Sequence, residues 1–173
     1  MPLVIVPEDG TGLPNANSYI SQAEGDAYFE AHLYGDSWTN ASTEDKDKAM
    51  AHATRLLDAH TNWRTGSKKT ANQALQWPRE GAYKDGFEIS PSVVPVEVKN
   101  ATAELAMLMI SNNLTADVDQ NNLNSITLGK GALEIEFNDS RPKRQIPFHV
   151  DALLQGLGSI QGGGNFTQVD AYR

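Results

Sequence analysis

The chain has 173 residues, 39% of them hydrophobic and 21% charged, a composition that fits one ordinary globular domain and excludes bulk disorder and collagen-like repeats. Its 22 acidic and 14 basic side chains give a formal charge of −8, the reverse of the basic stripe usual in autonomous nucleic-acid binders, and weaken non-specific attraction to phosphates. There are no cysteines, which excludes disulfides, Cys-ligated zinc, iron–sulfur clusters and thiol nucleophiles together.

Leu3 to Val6 reads as a short strand that ends at Gly10-Thr11-Gly12, where two glycines permit a tight turn. Ser21-Gln22-Ala23-Glu24 has capping-box spacing, and Ala23, Ala27, Tyr28 and Ala31 follow at helical intervals, so a helix is expected over 22–33 with Gly35 ending it. Trp38 falls in a loop. Ser42-Thr43-Glu44-Asp45 is a second cap, and the stripe Ala49, Met50, Ala53, Leu56, Leu57 predicts a helix over 43–60. The stretch 61–86 reads as irregular, broken by Gly66, Lys68-Lys69 and Trp77-Pro78. A third helix is expected over 95–112, with Pro95 in its first turn.

Ile126 and Leu128, then Leu133, Ile135 and Phe137, alternate around Gly129-Lys130-Gly131, which predicts a hairpin near 125–137. A basic break, Arg141-Pro142-Lys143-Arg144, precedes a short helix near 150–157. Gly162-Gly163-Gly164 then leads into Phe166, Val169 and Tyr172, which read equally as an arm for a neighbouring strand edge or as a frayed terminus. The resulting expectation is a mainly α fold: a small helical bundle (1–161) with a short hairpin and an extended C-terminal arm (162–173).

Chemistry is thin. His52 and His60 are eight apart rather than at the i, i+4 spacing of a zinc helix, and His32 and His149 have no carboxylate at a recognisable offset. Glu134 and Glu136 share one strand face, opposite Leu133, Ile135 and Phe137, and a polar strand face explains them better than acid–base work. Gly10-Thr11-Gly12 and Gly129-Lys130-Gly131 lack the full phosphate-loop spacing. With no nucleophile elbow either, the chain is expected not to be an enzyme and to need no metal or cofactor. Trp38, Trp63 and Trp77, near Arg64, Lys68, Lys69 and Arg79, could form a stacking platform for single strands, but their size favours a place in the core. No apolar run approaches the ~20 residues that span a bilayer, and the start lacks the basic n-region of a signal peptide; a soluble protein of a reducing compartment is expected, with no membrane partner.

The motifs Ala16-Asn17-Ser18-Tyr19, Thr54-Arg55-Leu56-Leu57-Asp58, Gln73-Ala74-Leu75-Gln76-Trp77-Pro78-Arg79, Val94-Pro95 with Ala103-Glu104-Leu105-Ala106, Gly131 to Phe137 and Val150 to Leu154 occur in that order. In this the chain resembles tailed-bacteriophage proteins often labelled "DnaT-like", which act as head–tail adaptors. The resemblance implies a virion protein at the head–tail junction, a homo-oligomeric ring (usually a dodecamer) joining portal protein to a tail or neck protein. DNA would pass through its channel without specific binding. On that reading Glu134, Glu136 and Asp139 would face the channel, while Phe166, Val169, Tyr172, Arg141, Lys143 and Arg144 would dock a partner. The label itself implies the alternative, a single-stranded DNA-binding replication accessory protein, and the acidic charge favours the adaptor.

Overall fold

Two of the helices open where the sequence supplies a side-chain cap ahead of the helical run. In the computed structural model, which describes residues 3–112, 126–127, 134–135 and 146–160, α1 spans Gln22–Glu30 and opens on a complete capping box. Glu24 N donates to Ser21 Oγ, and Ser21 N donates back to Glu24 Oε2 at 2.7 Å. Such a cap contributes about 1 kcal/mol. α3 spans Thr43–His60 behind Ser42, whose Oγ accepts from Asp45 N at 3.1 Å. Its stripe Ala49, Met50, Ala53, Leu56, Leu57 is buried as the periodicity requires. α4, Val96–Ser111, lies against it through Val98, Ala101, Leu105 and Ala106, all buried. Alanines on both faces let the two backbones approach, and this pair is the centre of the core. α5, Phe148–Leu153, packs on α4 through buried Val150.

The bounds of α1 and α5 differ from those the sequence predicts. α1 stops at Glu30, and Gly35 caps the start of an extra short helix, α2, Asp36–Thr39, instead of closing α1. α2 places Trp38 inside the fold, where its indole Nε1 donates to Asp26 Oδ1 at 2.8 Å and Lys46 Nζ stands 5.3 Å from the ring centre. α5 opens at Phe148 rather than Val150, and Leu154–Leu157 continue as a turn.

The larger correction concerns the class. The fold is mixed α/β, not a helical bundle with one hairpin. The stretch read as irregular carries β1 (Thr61–Trp63), β2 (Ser67–Lys68), β3 (Arg79–Glu80) and β4 (Ala82–Lys84), with β5 (Phe87–Ile89) directly after. Two more strands, β6 (Ile126–Thr127) and β7 (Glu134–Ile135), pair antiparallel, Ile126 opposite Ile135. β8 (Gly158–Ile160) pairs antiparallel with β1, Asn62 opposite Ser159, so the strand that leaves α3 is closed by the strand that leaves α5. The remaining pairs are β2–β3 and β4–β5, both antiparallel.

Such short strands give weak period-two patterns, and side-chain hydrogen bonds supplement their ladders. Leu3–Val6, expected as a strand, is not one; it is joined to the Asn17 segment by both backbone and side chain. Asn17 N donates to Val6 O at 3.0 Å, Val6 N to Asn17 Oδ1 at 2.8 Å and Asn17 Nδ2 to Val4 O at 2.9 Å, and a single parallel bridge follows at Pro7 and Ser18.

Candidate functional site

The Gln73–Arg79 loop is fixed from within. Asp58 on α3 and Tyr19 meet beneath it, the Tyr19 hydroxyl donating to Asp58 Oδ1. Gln76 N donates to Asp58 Oδ2 at 3.0 Å, and Trp77 N donates to the Tyr19 hydroxyl at 3.2 Å. Burial pushes the Asp58 carboxyl up to about 6, against the opposing pull of the hydrogen bonds and of Lys68 and Arg79; burial and Asp58 push the Tyr19 hydroxyl well up. Trp77 is buried, its peptide to Pro78 is cis, and Trp63 meets it edge to face at 5.8 Å. The guanidinium of Arg79 turns inward, Nε donating to Thr65 O and Nη2 to Gly66 O, each at 2.7 Å. This most distinctive string of the sequence therefore builds the platform under the β2–β3 and β4–β5 pairs.

From that platform the β4–β5 hairpin reaches solvent. Asp85 and Gly86 both have positive φ, 52° and 84°, as the two central residues of a type I′ turn require. Lys84 stands opposite Phe87 and Tyr83 opposite Glu88, so Tyr83 and Phe87 lie on opposite faces of the ribbon. Ala82, on the Phe87 face, is buried and anchors the base. Tyr83 is 53% and Phe87 78% exposed. Thr65 ties β4 to the preceding loop: Tyr83 N donates to Thr65 Oγ1 at 2.6 Å, and that hydroxyl donates to Tyr83 O at 3.0 Å. Arg64, exposed, is the residue before Thr65 in the chain. Arg64 also borders a cleft of about 380 Å³ shared with Phe148, Gln155 and Gly156. Lys84 lies along Gly156 and pairs with Glu97 on α4.

Charge divides along the chain in the same sense. Residues 61–89 carry five basic and three acidic side chains, whereas 22–60 carry three basic and eight acidic. Lys68 Nζ and Lys69 Nζ donate to the carbonyls of Gln73 and Gly10, which fixes the ammonium groups, and they act on the carboxylates of Asp58 and Asp9 respectively.

The other sequence candidates resolve into structure. Gly10-Thr11-Gly12 does form a cradle of backbone N–H groups, but Glu8 fills it: Glu8 Oε1 accepts from Gly10 N at 3.0 Å and Gly12 N at 2.8 Å, and Oε2 from Leu13 N at 2.9 Å. Gly10 also passes so close to the Ser92 carbonyl that a side chain there would collide with it. His32 Nε2 stands 3.3 Å and His149 Nε2 3.8 Å from the buried Glu104 carboxylate, which also accepts from the Tyr28 hydroxyl at 2.8 Å. This carboxylate ties α1, α4 and α5 together. Among the described residues no group of three or more such side chains could hold a metal ion, and no helix is long and apolar enough to cross a membrane.

Trp38 and Trp77 are core residues and Trp63 packs against that core, so the tryptophans are not a stacking platform. Glu134 lies on β7, and only its backbone is described. Glu136, Asp139, Arg141, Lys143, Arg144, Phe166, Val169 and Tyr172, and with them the arm 162–173, lie outside the described residues. Tyr83 and Phe87 were absent from the sequence reading. The signal that could have found them is Asp85-Gly86, flanked by Ala82-Tyr83-Lys84 and Phe87-Glu88-Ile89, a strong short-range hairpin pattern.

Fold and surface together define a small mixed α/β protein that presents two aromatic rings on one hairpin beside an arginine. The chain matches, over residues 1–173, the family described as "Putative DnaT-like ssDNA binding protein", and it belongs to that family. No curated protein and no solved structure matches it. The head–tail adaptor expectation is corrected by this finding, because the family that spans the whole chain is described by single-stranded DNA binding. The channel-facing role of Glu134, Glu136 and Asp139 was implied by the adaptor reading alone.

Proposed function

We propose that the protein binds single-stranded DNA. Membership of the DnaT-like family along all 173 residues carries the reading. The sequence argument against it was the net charge of −8, but a net charge averages over faces, and the acidic excess lies largely on the helical segment 22–60. The segment 61–89 has the opposite balance and holds the exposed rings Tyr83 and Phe87. Exposed rings suit a single strand, whose bases are free to stack, better than a duplex, whose bases are already paired and stacked.

Fluorescence anisotropy of a labelled oligothymidylate, with a duplex of equal length as comparison, tests this. Saturable binding of the single strand, tighter than that of the duplex, is expected. No saturation up to about 100 µM, the weak end of non-specific affinities, would overturn the proposal.

A further inference from the structure

We infer that the single strand is held at the tip of the β4–β5 hairpin, with bases stacked on Tyr83 and Phe87 and a phosphate at Arg64; this rests on the single-strand reading above. Three observations lead there. Both rings are mostly exposed, although burying an aromatic ring of about 150–250 Å² would contribute more to stability than leaving it in water. The type I′ turn at Asp85-Gly86 is short and conformationally defined, so the rings sit on a pre-formed support and little ordering entropy opposes binding. The register places Tyr83 and Phe87 on opposite faces, so the ribbon can enter between bases of an unpaired strand, which a continuous duplex stack does not allow.

Charge then orients the strand. Asp85 stands at the tip and Glu88 opposite Tyr83, and both repel phosphates. Lys84 is already paired with Glu97. Arg64, fixed beside β4 through the Thr65–Tyr83 hydrogen bonds, is the exposed cation on the neighbouring loop. The bases therefore meet the tip, and the sugar–phosphate chain runs on the Arg64 side. Because every base offers a π-face, contact of this kind discriminates little between sequences.

The test measures oligothymidylate binding by the full chain and by Tyr83→Ala, Phe87→Ala, Tyr83→Phe, Phe87→Trp and Arg64→Ala, with circular dichroism and thermal unfolding to check the fold. Each aromatic-to-alanine change should raise Kd roughly 5- to 150-fold, while the two aromatic replacements keep binding near that of the parent. Arg64→Ala should weaken binding and reduce the slope of log K against log salt by about 0.7, the share of one phosphate on a single strand. If the parent binds and the alanine variants bind equally well, the contact lies elsewhere; this inference then fails while the single-strand reading stands. If Tyr83→Phe loses as much as Tyr83→Ala, stacking is not the interaction and the inference also fails. If the parent binds no single strand, the functional reading itself falls.

Discussion

Asp58 shows how a single buried carboxyl couples the distinctive loop to pH. Held at about 6 by burial, it binds its proton more tightly in the native chain than in the unfolded one. Its contribution to stability is therefore complete below about pH 4 and is lost as pH rises through about 6. His52 acts in the opposite sense in an overlapping range, because burial and Arg55 push its imidazole down. Glu24, Asp26 and Glu97 are held low by Lys99, Lys46 and Lys84, the burial of Glu24 and Glu97 being outweighed, and their contributions fade only in stronger acid. A comparison of Asp58→Asn with the parent isolates the one group. Relative to the variant, the parent should gain on the order of 1 kcal/mol in urea unfolding between about pH 7 and pH 5. An equal difference at both values would show that this carboxyl titrates normally.

At the scale of the element, the hairpin depends on its turn. Nothing lies within 4 Å of where a side chain on Gly86 would project, so a substitution there meets open space and feels only the backbone angle. Gly86→Ala should cost about 1–2 kcal/mol of left-handed strain at the tip, and Gly86→Asn less, because asparagine tolerates that region. Since the buried core of α3 and α4 does not include the turn residues, thermal unfolding should fall only modestly while the alanine variant loses single-strand affinity with Tyr83 and Phe87 displaced. Unchanged affinity would separate binding from the turn geometry. The contrast with Gly25 on α1 is instructive. A side chain there would strike the buried Trp38 ring at 2.5 Å, and that indole is already fixed to Asp26. One glycine serves conformation and the other serves packing.

At the scale of the whole molecule, acidic charge sets the character of binding. A chain of net charge −8 offers a strand few phosphate contacts, so affinity should come mainly from stacking and vary shallowly with salt. The slope of log K against log salt for oligothymidylate is expected between about −0.7 and −2, equivalent to one to three contacts. A slope several times steeper, from a titration at increasing sodium chloride, would place the interface on a basic surface other than this hairpin.

The sequence by itself determined what is local. The caps at Ser21 and Ser42, the stripe Ala49 to Leu57 and the start of α4 at Pro95 were legible because a helix is specified within a few residues of itself. The burial of the tryptophans followed from size, and the backbone pairing of β6 with β7 from alternation. Net charge was legible too, but a sum over the chain does not say where in the fold the excess lies. Tertiary structure alone decided the pairing of β1 with β8, the inward turn of Arg79, the filling of the Gly10–Gly12 cradle by Glu8 and the convergence of Tyr19, Asp58 and Trp77. Each of these is settled by groups that the chain brings together over a distance, or by competition among several partners for one polar group. Strands of two or three residues carry too short a pattern to declare themselves, and whether Tyr83 and Phe87 face water or the core depends on which neighbours reach them.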